Sequence, residues 1–97
     1  MVLRLLERIA IDRQQGLKEK DFSKHYHEKS TEIFIPLNGY AEMMLYLPEE
    51  ERKLRLTPGG IWVFEPLEIH QFIDEYAFDH ITIRYPDIPG DKVIINQ

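Results

Sequence analysis

His25 and His27 stand one residue apart, Glu32 follows on a nearby segment, and His70 sits just beyond Pro66. These are the nitrogen and oxygen donors that divalent transition metals take. A β-strand sends alternate side chains to one face, so the two imidazoles of a His-x-His step can aim at a single point. Glu32 adds a hard oxygen donor a short turn away, and His70 can bring a third imidazole from across a sheet. Three neutral imidazoles and one carboxylate suit Zn, Mn, Fe, Ni, Co or Cu, and ligand type alone does not choose among them. On an octahedral ion such a set leaves two positions open for water, oxygen or a bidentate substrate. Each donor also has a plainer reading. The two histidines could be solvated in a strand that carries Lys24, Glu28 and Lys29, Glu32 could be a strand-edge carboxylate, and His70 could be a core histidine bonded to a backbone carbonyl.

The elements that must hold these residues read as short strands separated by turns, with no long helical period. Val2 to Ile11 is expected to be a strand, although Leu3, Leu6 and Ala10 also allow a helical stripe. Asp12 to Asp21 is polar, contains Gly16 and reads as a loop; Phe22 to Glu28 then carries the first two histidines on a strand. Ile33 to Leu37 and Tyr40 to Leu47 flank Asn38-Gly39, a strong hairpin signal, and are expected to pair antiparallel. Pro48 to Lys53 reads as a charged turn, Leu54 to Thr57 and Ile61 to Glu65 as strands around Pro58-Gly59-Gly60, and Pro66 to Glu68 as an interruption. Ile69 to Ile73, Phe78 to Tyr85 and Lys92 to Asn96 complete the set. Closing so many short strands into a barrel removes unpaired edges.

On the strand from Phe78 to Tyr85, His80, Thr82 and Arg84 share one face and Ile81, Ile83 and Tyr85 the other. The expectation is that His80 and Arg84 face solvent. If that face turns inward, Arg84 supplies a cation for a carboxylate or phosphate on a substrate. Phe34, Trp62, Phe64 and Phe72 are expected in the barrel core.

The 97 residues are consistent with one domain spanning positions 1–97, with 43% hydrophobic and 30% charged residues and no low-complexity segment. A chain of this size buries roughly 60 to 65% of its unfolded surface, so the core is thin and a bound metal or a partner subunit would add stability. There is no cysteine, which excludes disulfides and thiolate-held metals. A net charge of −5 with scattered basic residues argues against nucleic-acid binding. Arg4, Glu7 and Arg8 interrupt the apolar residues at the N-terminus, so no signal peptide or membrane span is expected there and a cytoplasmic location is.

His25-x-His27, Glu32 and Gly39 together resemble the first sequence motif of the cupin superfamily, and Gly60, Pro66 and His70 resemble the second. The two cover Phe22 to Phe72. Glu19 stands where the first motif opens on glycine, and Pro66-Leu67-Glu68-Ile69-His70 is one residue shorter than the second motif and lacks its glycine. The resemblance implies an all-β double-stranded β-helix, or jelly-roll barrel, with His25, His27, Glu32 and His70 holding one divalent metal inside it. It permits a metal-dependent enzyme acting on a sugar-like hydroxy-carbonyl compound, by isomerisation or by dioxygenase chemistry. The alternative is a non-catalytic small-molecule or sugar-binding module with a structural metal. No side chain near the motifs presents itself as a general base, so whether the chain is an enzyme stays open at this point. Several strands are apolar on both faces, which a lone barrel in water does not require. A homodimer formed sheet on sheet would cover the outer face, and small cupins suggest the same.

Overall fold

The computed structural model describes residues 8–95, so the expectations for residues 2–7 and for Asn96 lie outside it. Seven strands follow in order: β1 (Ala10–Gln15), β2 (His25–His27), β3 (Thr31–Tyr46), β4 (Glu51–Leu56), β5 (Trp62–Phe64), β6 (Ile69–Tyr85) and β7 (Lys92–Ile94). A 3₁₀ turn, Glu19–Phe22, lies between the first two. All pairings are antiparallel. The expected all-β double-stranded β-helix is what forms.

Its frame is the pairing of β3 with β6 along nearly their whole lengths. The first half of β3 and the second half of β6 form one sheet, in the order β1-β6-β3-β5. The other halves form a second, in the order β4-β3-β6-β2-β7. Both long strands bend between the two sheets. In β3 the bend is at Asn38-Gly39, where the ladder register shifts on either side of Asn38. Gly39 has φ 69°, and a Cβ there would run into the carbonyl oxygens of Tyr76 and Ala77, so only glycine fits. The dipeptide is therefore a bulge within one strand and not the expected hairpin. Glu32, Phe34 and Pro36 point inward before it, Ala41 and Met43 after it, because the bulge reverses the alternation. Pro36, which has no N–H to give the ladder, sits at the first register shift.

Other expectations shift in the same way. β1 runs to Gln15, inside the stretch read as a loop, because it pairs residue by residue with the second half of β6. Glu51–Lys53 belong to β4, paired with Tyr46, Leu45 and Met44, and only the turn closed by Leu47 N donating to Glu50 O (2.8 Å) separates the strands. Ile69 to Ile73 and Phe78 to Tyr85 are two parts of β6. The sheets close over Phe34, Met43, Leu56, Phe64, Phe72 and Phe78. Phe34 meets Phe64 and Phe72 edge-on, at centroid distances of 5.7 and 5.3 Å, the arrangement favoured by the ring quadrupoles. Trp62 packs against this cluster, as expected for the core aromatics. This apolar floor fills one end of the barrel and leaves the other for polar groups.

Candidate metal centre and cavity

His25 and His27 lie on β2, with Tyr26 between them on the opposite face, as strand alternation requires. His70, on β6, is the direct cross-strand neighbour of His25. Glu32 comes from the other sheet, on β3 beside Phe64 of β5. All four are buried, His70 to 1% exposure, and one donor atom from each lies within 4.8 Å of the others. The structure thus brings together the whole predicted ligand set, including His70 behind its shortened turn. That turn closes because Leu67 occupies the left-handed region (φ 73°) and its N–H donates to His27 O at 2.8 Å. Leu67 holds this conformation without the freedom of a glycine, at a steric cost of about 1 to 2 kcal/mol.

Hydrogen bonding orients the imidazoles. His25 Nδ1 lies 2.7 Å from Ser23 O and His70 Nδ1 2.9 Å from Glu68 O. A carbonyl only accepts, so both Nδ1 atoms carry the proton, and in the neutral ring Nε2 keeps its lone pair. His70 Nε2 then faces Glu32 Oε1 at 3.3 Å, lone pair against carboxylate oxygen. His27 Nε2 lies 3.4 Å from the same oxygen and has no hydrogen-bond partner. Such an arrangement asks for positive charge between the groups, either a proton or a cation. Donors about 2.1 Å from a common ion stand about 3.0 to 4.2 Å apart, so the four residues fit a divalent ion with small adjustments.

The electrostatics agree with that fit. Burial, reinforced by His70, pushes the His25 imidazole down to about 4, so it stays neutral at physiological pH. Burial alone would raise the Glu32 carboxyl, but the closeness of the His27 and His70 rings reverses this and holds it well below the usual carboxylate range. Neutral imidazole and ionised carboxylate are the forms a metal binds.

Above His25, His27 and Glu32 opens a cavity of about 230 Å³. Here one expectation is overturned. His80, Thr82 and Arg84 line this cavity, with His80 and Thr82 buried, while Ile81 and Ile83 lie on the outer face. The register explains it: Arg84 pairs with Glu32 and Thr82 with Phe34, and cross-strand neighbours share a face. Arg84 is half-buried and lies 3.6 Å from Asp87. Lys92, opposite His27 in the β2–β7 ladder, joins it on the wall, and Lys18 and Lys20 reach the same space. Asp12, Gln14 and Lys92 carry little signal in the sequence, because Asp12 to Gln15 reads as part of a loop and β7 has little pattern of its own. The alternation of His80, Thr82 and Arg84 was the signal available.

Among the described residues, no helix is long and apolar enough to cross a membrane. No protein-family model matches the sequence, and no curated sequence is similar to it. Solved structures are similar in fold. QdtA, a sugar 3,4-ketoisomerase from Thermoanaerobacterium thermosaccharolyticum in complex with TDP, superposes with a TM-score of 0.68 at 20% identity, over 87% of this chain and 64% of its own. A protein from Planctomyces limnophilus matches with 0.68 at 24% identity, over 88% and 70%. Pac13, a nucleoside dehydratase from Streptomyces seen with uridine, matches with 0.72 at 12% identity, over 92% and 69%. The chain therefore spans 64% of the length of the ketoisomerase it resembles. With its two sheets wound from β3 and β6, the protein has the double-stranded β-helix fold of these cupin-like barrels.

Proposed function

We propose that the protein is a divalent-metal-binding cupin that isomerises a small, anionic, sugar-like hydroxy-carbonyl compound. The observation that carries this reading is the meeting of three buried imidazoles and one buried carboxylate from opposite sheets, with Nε2 of His27 and of His70 beside Glu32 Oε1, at the floor of an open cavity. His25, His27, Glu32 and His70 would hold the ion. A bound divalent ion supplies Lewis acidity, polarising a carbonyl or hydroxyl oxygen.

The chain's own groups do the rest. Arg84 and Lys92 are the cross-strand neighbours of Glu32 and His27, so an anionic group on the substrate is held beside the ion. Their placement stands out in a chain of net charge −5. Burial lowers the Lys92 ammonium from its ordinary value, which makes an anionic partner more favourable there. The aromatic floor of Phe34 and Phe72 keeps water from the inner side of the cavity. Proton-transfer chemistry on a sugar is favoured over oxygen chemistry because the sugar ketoisomerase and the nucleoside dehydratase share this fold.

The deciding experiment is metal analysis of protein purified without chelators or a metal-affinity tag, repeated on His27→Ala. Near-stoichiometric metal in the wild type and its loss in the variant are expected. Equal, substoichiometric metal in both would refute the reading.

The reading includes a homodimer. The outer face of the β1-β6-β3-β5 sheet carries Ile11, Ile83, Ile33 and Val63 side by side in one register row, with Ile11 70% and Val63 50% exposed. A second copy laid on this row would cover it in the sheet-on-sheet manner that apolar outer faces favour.

A further inference from the structure

The β1–β6 ladder places polar residues in facing pairs on the cavity side: Gln14 opposite His80 and Asp12 opposite Thr82. All four line the cavity above the candidate metal centre, and none is needed to hold the ion. His80 is the unusual member. It is 1% exposed, Phe78 stacks on its ring at 4.3 Å and 16°, and Phe34 stands 5.9 Å away, so it sits where an apolar side chain would pack. Its Nδ1 is enclosed and makes only a poorly aligned contact with the backbone of Phe78, two residues before it. A buried polar ring is costly unless it is hydrogen-bonded, and the retention of an imidazole in this aromatic wall of the cavity points to a ligand that bonds its other nitrogen.

We propose that this wall is a polyol subsite, in which Asp12, Gln14, His80 and Thr82 bind neighbouring hydroxyls of a sugar ring. The chemistry matches a vicinal diol. The Asp12 carboxylate accepts from two adjacent hydroxyls, as carboxylates do in bidentate pairs. Gln14 Nε2 donates to Asp12 Oδ2 at 3.2 Å, which holds that carboxylate in place and leaves the amide oxygen as a further acceptor. Burial lowers the His80 imidazole below its ordinary value, so the neutral ring offers one donor and one acceptor. Thr82 adds a hydroxyl that does either. Such a set rejects a deoxy analogue, because the missing hydroxyl leaves its partners unpaired. The subsite rests on the reading of the cavity as the place where a sugar-like anion binds.

The test compares D-ribose 5-phosphate, 2-deoxy-D-ribose 5-phosphate and inorganic phosphate as calorimetric ligands of the protein as purified. Ribose 5-phosphate is expected to bind about tenfold more tightly than either of the others. Asp12→Ala, at an exposed strand position, and His80→Phe, which keeps the aromatic packing, should each remove that margin while phosphate affinity and metal content stay as in the wild type. No margin in the wild type, or a margin that survives both variants, overturns the polyol subsite. Loss of the margin with metal retained separates this inference from the metal-binding reading, whose own failure shows as absent metal in the wild type.

Discussion

His25 and His70 face each other across the β2–β6 ladder, and each directs Nδ1 to the backbone carbonyl two residues before it, Ser23 O and Glu68 O. Two unrelated segments thus use the same local device to present Nε2. Backbone partners of this kind set the tautomer and raise the basicity of a metal-binding imidazole.

The donors should act as a set. Removing an outer partner of a ligand costs about 10- to 100-fold in metal affinity, so removing a ligand itself, as in Glu32→Gln or His70→Ala, should cost at least about 100-fold. Because the ion binds only the native chain, wild-type protein should melt at a temperature that rises with added zinc or manganese, and the variants should not. Differential scanning calorimetry with and without metal reads this directly. A melting temperature that metal moves equally in wild type and Glu32→Gln would count against the site.

Leu67 is 65% exposed and so has little packing to lose on truncation, yet it holds a left-handed backbone conformation. Leu67→Gly should remove steric strain of about 1 to 2 kcal/mol, against an entropy cost of about 0.5 to 1 kcal/mol in the unfolded chain. Taken at their midpoints these leave a net gain of about 0.75 kcal/mol, a rise of a few degrees in melting temperature for a chain this short. An unchanged or lower melting temperature would show that the turn is not strained.

Asp91 ties the loop after β2 to the entry of β7. Its carboxylate accepts from Lys29 N at 3.1 Å and Ser30 N at 2.9 Å. Burial alone would raise this carboxyl, but those donors lower it below its ordinary 3.8. A depressed folded value means that the unfolded chain binds the proton more readily, so the stabilisation is complete above about pH 4 to 5 and fades as pH falls through the folded value. Asp91→Asn should therefore cost about 1 kcal/mol at pH 7 and progressively less below pH 3.8, measured by urea denaturation across pH. A cost that stays constant down to pH 2 would contradict this account.

The apolar row gives a prediction for assembly. Ile11→Lys or Val63→Lys places a charge in the middle of the proposed dimer face, and sedimentation should shift the wild-type dimer to a monomer without loss of the β-sheet circular dichroism signal. A wild type that sediments as a monomer at micromolar concentration removes the proposal.

Much of the fold was legible in short-range pattern. Alternating burial around His25-Tyr26-His27 and through Glu32 and Phe34 follows from the two-residue period of a strand. What misled was Asn38-Gly39, because a glycine with positive φ serves a hairpin turn and a bulge equally well. The choice depends on whether the next residues meet the same strand or a different one, and here β6 continues past the bend. The inward face of the second half of β6 misled for a related reason. Ile81 and Ile83 are the apolar set, and hydrophobicity alone turns them to the core. They face outward because register places Arg84 beside Glu32, and one strand cannot turn both sets inward.

The sequence by itself determined the donor types, their spacing on β2 and β3, the all-β class and the absence of any thiolate chemistry, since these depend on residue identity and on a period of two. Only the tertiary structure decided that His70 reaches the other three, that β1 is a wall of the cavity, and that His80, Thr82 and Arg84 look inward. Those outcomes rest on pairings between residues far apart in the chain, where the energy comes from closing two sheets over one core and not from any local preference.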